Sequence, residues 1–90
     1  MESSIIYKIN NKNNNDIVII FGLAKCKFIL DLSKKLQCKN ISYKIYYIDN
    51  FFNDFSNFIN KKYKLNSIPA IFFNKKIIGN YYDCINFFNL

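Results

Sequence analysis

Cys26 stands between two patterns that together make a sulfur reactive. An unbroken apolar run, Ile17 to Phe21, precedes it and leads into a tight Gly22-Leu23-Ala24-Lys25. An amphipathic stretch follows, with Ile29, Leu32 and Leu36 on one face and Asp31, Lys34 and Lys35 opposite. The order reads as strand, short loop and helix, with the thiol at the helix N-terminus. Unpaired backbone N–H groups and the positive end of the helix dipole favour a thiolate there. Lys25 and Lys27 flank the sulfur and push the same way. A partly exposed cysteine in such a setting reacts rather than packs. Farther on, Ser67-Ile68-Pro69 introduces another apolar run.

The other two cysteines, Cys38 and Cys84, read as small buried hydrophobes. Three cysteines without paired spacing argue against a disulfide scaffold and against a structural zinc site. Histidine is absent, which removes the commonest general base and transition-metal ligand, so no metal site is expected. Thirteen lysines and no arginine give a net charge of +7. With no arginine there is no bidentate guanine reader, and specific nucleic-acid binding is not expected. The 15 Asn, 16 Ile and 13 Lys are what A/T-rich codons encode, so the charge reads mainly as a solvated surface.

Ninety residues, 51% of them hydrophobic, allow one folded domain. No apolar run reaches the roughly 18 residues of a membrane span. Met1-Glu2-Ser3-Ser4 lacks the features of a secretory signal, so a cytoplasmic protein is expected. Residues 1–15 read as an N-terminal appendage, either an extra strand at Ile5–Ile9 or a disordered polar segment. Residues 16–90 read as the domain proper.

Within that domain, Ile17–Phe21 is apolar at every position, as in a strand buried on both faces. The helix over residues 26–38 ends near Asn40. Ile41–Ile48 forms a second strand with Ile41, Tyr43, Ile45 and Tyr47 on one face and Ser42, Lys44 and Tyr46 on the other. Asp49-Asn50 caps a second helix that buries Phe51, Phe55, Phe58 and Ile59 and runs out near Lys64. Pro69–Phe73 and Lys76–Gly79, joined by Asn74-Lys75, form an antiparallel hairpin. A helix from Tyr81 to about Phe88 closes the order β-α-β-α-β-β-α.

From residue 16 to 88 this order and three of its landmarks resemble the glutaredoxin branch of the thioredoxin-like superfamily. Cys26-Lys27-Phe28-Ile29 sits where glutaredoxins carry Cys-Pro-Tyr-Cys, or Cys-Gly-Phe-Ser in the single-thiol class. Ser67-Ile68-Pro69 is similar to the family's Thr-Val-Pro, whose proline is cis. Ile78-Gly79-Asn80-Tyr81-Tyr82-Asp83 is similar to its Ile-Gly-Gly-x-x-Asp. The resemblance implies an α/β thioredoxin-like fold, a four-stranded mixed sheet flanked by helices. It implies glutathione as co-substrate, with Cys26 as nucleophile and a binding set of Lys25, Phe28, Ile68, Pro69, Tyr82 and Asp83. Ile68 would offer its backbone to the cysteinyl part of glutathione. The N–H groups of Tyr82 and Asp83 would receive the γ-glutamyl carboxylate, and the Asp83 carboxylate its ammonium. The implied partners are glutathione and glutathionylated or thiol proteins, handled by a monomer.

Departures from the family pattern shape the expected chemistry. Ile29 replaces the second active-site cysteine, and Cys38 lies about 18 Å along the same helix at about 1.5 Å per residue. A disulfide needs α-carbons within about 7 Å, so Cys38 does not serve as partner to Cys26. The single-thiol route remains, in which Cys26 takes the glutathionyl group and free glutathione resolves it. Leu23 stands where many members have a cation for the glycyl carboxylate, leaving that role to Lys25 or a lysine of the Lys61, Lys62, Lys64 group. Asn80 replaces the second glycine. Single-thiol members can bridge a [2Fe–2S] cluster between two subunits. Lys27 and Ile29, in place of glycine and serine, rank that activity below thiol exchange. Leu23 and Ile29 also favour a different class of function, a thioredoxin-fold adaptor without turnover.

Overall fold

A computed structural model describes residues 2–90. The chain opens with helix α1 (Glu2–Asn10). The apolar run then builds β1 (Val18–Gly22), every residue of it buried. Helix α2 (Lys27–Cys38) follows, then β2 (Tyr43–Tyr47), α3 (Phe52–Tyr63), the hairpin β3 (Ala70–Phe73) and β4 (Lys76–Gly79), and α4 (Tyr81–Phe88). One sheet results, in the order β2-β1-β3-β4. β1 and β2 are parallel, with Val18 opposite Tyr43, because a helical crossover joins them. β3 runs antiparallel to both β1 and β4. Asn74 and Lys75 take positive φ values of 48° and 72°, the twist a two-residue hairpin turn requires. This is the four-stranded mixed sheet expected from the sequence.

The core has two halves, one on each face of the sheet. Ile29, Leu32 and Leu36 of α2 meet Val18, Ile20, Ile71 and Cys84 on one face. Phe55, Phe58 and Ile59 of α3 meet Ile19, Phe21, Ile48 and Phe72 on the other. Tyr46, on the strand face opposite Ile41, Tyr43 and Ile45 as expected, belongs to this second half and stacks on Phe21 at 5.5 Å between ring centroids. An edge strand with helices on both sides of its sheet has two half-buried faces, so alternation does not mark a solvent face.

The N-terminal segment departs from expectation, because Ile5–Ile9 lies in a helix and not a strand. Ile5 and Ile9, four apart and hence on one helical face, are 3% and 4% exposed and join the α3 side of the core. The Asn-rich run after α1 is also structured. Lys12–Asn14 makes a 3₁₀ turn. Buried Asn14 donates to the Lys8 carbonyl at 2.9 Å and accepts from the Lys44 ammonium at 2.8 Å. Polar composition concealed a buried tie between α1 and β2. No helix among the described residues is long and apolar enough to cross a membrane.

Packing of α1 sets an expectation for stability. Ile9→Ala lowers the unfolding free energy by about 2–5 kcal/mol, as deletion of a buried isoleucine does. Tyr7→Ala, on the same helix but 68% exposed, changes it by about 0.5 kcal/mol or less. Urea unfolding followed by circular dichroism compares the two.

Candidate active site

Pairing registers bring four loops to one end of the sheet. Gly22 ends β1 opposite Tyr47, the last residue of β2. Ala70 begins β3 opposite Phe21, and Gly79 ends β4 opposite Ile71. The segments leaving these positions are 23–26, 48–51, 68–69 and 80–83. In open α/β sheets ligands bind outside the carboxyl ends of the strands, which is this end for β1 and β2.

Cys26 is the residue immediately before α2, with extended backbone (φ −76°, ψ 123°) and no side-chain capping bond. It is half-buried, and its N–H donates to the Leu23 carbonyl at 3.1 Å. Its sulfur therefore sits at a helix N-terminus whose first N–H groups have no side-chain cap. The loop before it is held from below and from the side. A Cβ on Gly22 would collide with the Ile29 side chain and lie 3.4 Å from the Pro69 Cβ, so only glycine lets these three approach. From the side, Ala24 N–H donates to the Asp49 carboxylate at 3.1 Å, and Ile48 N–H to the Gly22 carbonyl at 2.9 Å. Asp49 was expected to cap α3. It anchors the cysteine loop instead, and α3 starts from Phe51 with no side-chain cap.

Opposite this loop, the Ile68-Pro69 peptide is cis, and Pro69 is fully buried. Gly79 takes φ 130°, and a Cβ there would strike the Asp83 carboxylate. The turn that follows is a capping box: Asp83 N–H donates to the Asn80 side-chain oxygen and Asn80 N–H to the Asp83 carboxylate, both at 3.0 Å. Phe28 closes the gap between α2 and α4, its ring centroid 4.8 Å from Tyr81 and 6.1 Å from Tyr82. Below these rings the Tyr81 hydroxyl donates to the Asp31 carboxylate, which pairs with Lys35 at 3.6 Å. Bonding to that carboxylate, with desolvation second, pushes the Tyr81 phenol up to about 12. Tyr81 and Asp31 carry no local signal of this contact, being 50 residues apart.

Solved glutaredoxin structures share this architecture. A dithiolic glutaredoxin from Trypanosoma brucei brucei is similar with a TM-score of 0.72 and 24% identity over 94% of this chain and 88% of that one. Wheat glutaredoxin gives a TM-score of 0.76 and 19% identity over 99% and 88%. The holo form of glutaredoxin C1 from Populus tremula x tremuloides gives 0.74 and 16% over 96% and 87%. This chain has the glutaredoxin fold. No protein-family model and no curated protein matches the sequence.

On that fold the expected residues other than Cys26 fall into two groups at this end of the sheet. Ile68, Pro69, Tyr82 and Asp83 lie on the β3–β4–α4 side, with Phe28 turned to the Tyr81–Tyr82 pair. Lys25 lies on the other side, where a cavity of about 280 Å³ is lined by Cys26, Lys27, Leu30, Ile45 and Tyr47 among others. Among the described residues no group of three or more His, Cys, Asp or Glu side chains is placed to hold a metal ion. Cys84 is fully buried in the core, and burial pushes its thiol up to about 12. Cys38, expected to be buried, is exposed. It ends α2 two residues past Leu36, which turns it off the apolar face.

Two measurements check this arrangement. Iodoacetamide at pH 8 places two labels on the native protein, at Cys26 and Cys38, and a third on Cys84 only after denaturation, as intact mass records. Asp49→Ala speeds hydrogen exchange at the Ala24 amide by about tenfold, the equivalent of about 1.4 kcal/mol for a bond to a charged acceptor. Exchange at core amides of β1 stays unchanged.

Proposed function

We propose that the chain is a glutathione-dependent thiol–disulfide oxidoreductase that reduces glutathione mixed disulfides through Cys26 alone. The observation that carries this reading is the convergence of three features at one sheet end. These are a half-buried cysteine before a helix, the cis Ile68-Pro69 peptide and the Gly79–Asp83 turn.

The Cys26 thiolate attacks the glutathionyl sulfur of a protein mixed disulfide. A Cys26–glutathione disulfide forms, the protein–glutathione bond breaks, and the protein leaves as a thiolate that takes a proton from water. A glutathione thiolate then attacks the bound glutathionyl sulfur. Oxidised glutathione departs and the Cys26 thiolate returns, so one free glutathione is consumed for each protein thiol released, the other half of the oxidised glutathione coming from the mixed disulfide. The burial of Cys84 and the distant place of Cys38 support resolution by external glutathione. Ile29, the side chain packed against Gly22, has no chemistry to offer.

Ile68 presents backbone N–H and C=O to the cysteinyl part of glutathione beside buried Pro69. The γ-glutamyl carboxylate seeks the N–H groups of Tyr82 and Asp83 at the start of α4. Asn80 already accepts the Asp83 N–H, so the ligand carboxylate displaces the Asn80 side chain or rests on Tyr82 alone. One Asp83 oxygen accepts from Asn80, and the other remains for the ligand's ammonium. Phe28 shields the sulfur from the α4 side, and Lys25 faces the glycyl carboxylate.

Incubation with oxidised glutathione adds one glutathionyl group, on Cys26, by intact mass and peptide mapping. Cys26→Ser gains none and loses turnover of a mixed disulfide by about 10³-fold or more, the scale of a lost nucleophile. A protein that takes up glutathione only at Cys38, or not at all, is an adaptor and not this enzyme.

A further inference from the structure

Glutathione, as proposed, occupies the β3–β4–α4 side of Cys26 and reaches the opposite wall only through its glycyl carboxylate at Lys25, which leaves the rest of that wall uncommitted. That wall is the cavity of about 280 Å³ between α2 and β2, and Cys26 itself lines it. Two apolar side chains in it face solvent, Leu30 at 60% exposure and Tyr47 at 53%. Exposed apolar residues are ordinary when scattered, but these two sit together beside the nucleophile. Lys25 and Lys27 line the same cavity and are exposed. Among the described residues the one ion pair joins Lys35 to Asp31, so no carboxylate neutralises either lysine. β2 is an edge strand, and the groove is open along its side to an extended chain.

Chemistry gives this wall an occupant. Attack on a disulfide places the attacking, central and leaving sulfurs nearly in line. With glutathione's sulfur in the centre, the residues flanking the leaving cysteine lie over whatever part of the rim glutathione does not cover.

We propose that the α2–β2 groove seats the protein half of the mixed disulfide, an extended segment with acidic residues beside its cysteine and an aliphatic residue against Leu30 and Tyr47. The inference rests on the glutathione-dependent reading and narrows its substrates to acidic, cysteine-bearing segments. Lys27, which glutathione does not engage, supplies charge complementarity, which raises encounter rate and weakens with salt. Leu30 and Tyr47 supply an apolar seat.

The test uses three glutathione mixed disulfides: an acidic cysteine peptide, its basic counterpart and free cysteine. The wild type turns over the acidic peptide with kcat/KM about tenfold above the basic one at low ionic strength, and high salt shrinks the ratio. Leu30→Glu places a repelling carboxylate on an exposed helical position that glutamate suits well. It lowers kcat/KM for the acidic peptide by about tenfold, the usual scale for removing an apolar anchor from an interface while adding repulsion. It leaves cysteinyl-glutathione within about twofold. Equal turnover of the two peptides by the wild type overturns the groove assignment and leaves the glutathione chemistry standing. So does an equal drop on peptide and cysteinyl-glutathione in Leu30→Glu. A wild type that does not turn over cysteinyl-glutathione removes the chemistry and the groove's substrate together.

Discussion

Gly22 has no side chain, and the Ile29 side chain fills the space that a Cβ would need. This close approach seats the first turn of α2 directly on the end of β1. It also brings both against Pro69, whose Cβ is 3.4 Å from the same point. Everything at the candidate site is referred to that junction. Cys26 precedes the helix by one residue, so wherever Ile29 locks the helix, the sulfur is placed. The same isoleucine, 4% exposed, follows Cys26 by three residues in the first turn of α2. On the proposed single-thiol reading, one side chain both seats the helix that presents Cys26 and leaves that cysteine without a partner one turn on.

Electrostatic organisation follows from how few acidic groups there are. Of six carboxylates, three are engaged around the site: Asp31 with Tyr81 and Lys35, Asp49 with Ala24, and Asp83 with Asn80. Each holds an element in place by accepting a hydrogen bond. Lys25 and Lys27, beside Cys26, pair with no carboxylate among the described residues and leave the site positive. A thiolate, a glutathione with two carboxylates and an acidic peptide would all be drawn to the same field. The charge of +7, which composition alone assigns to codon usage, thereby acquires a local direction.

Secondary structure was legible wherever it depended on near neighbours. β1 showed as a continuous apolar run, α2 and α3 as 3.6-residue periodicity, and the hairpin as two apolar runs around Asn74-Lys75. The Tyr81–Phe88 helix agreed at both ends. Misreadings arose where residues face two environments or none that composition records. Ile5 and Ile9 fit a strand and a helix equally well, since a spacing of four satisfies both periods. Cys38 was judged by residue type, and its place past the last apolar turn of α2 left it in solvent.

From residue 16 onward the order of elements and the position of a cysteine before a helix were settled by the chain alone, because strand and helix patterns are written in residues a few places apart. Which surfaces meet that cysteine was decided only by folding. Asp49 could cap its own helix or hold the loop 25 residues earlier, and only the β1–β2 register brings Ala24 within its reach. Tyr81 finds Asp31 across 50 residues because α2 and α4 share one face of the sheet. Such contacts depend on where separate elements dock, which is set by the summed packing of the core and not by any local pattern.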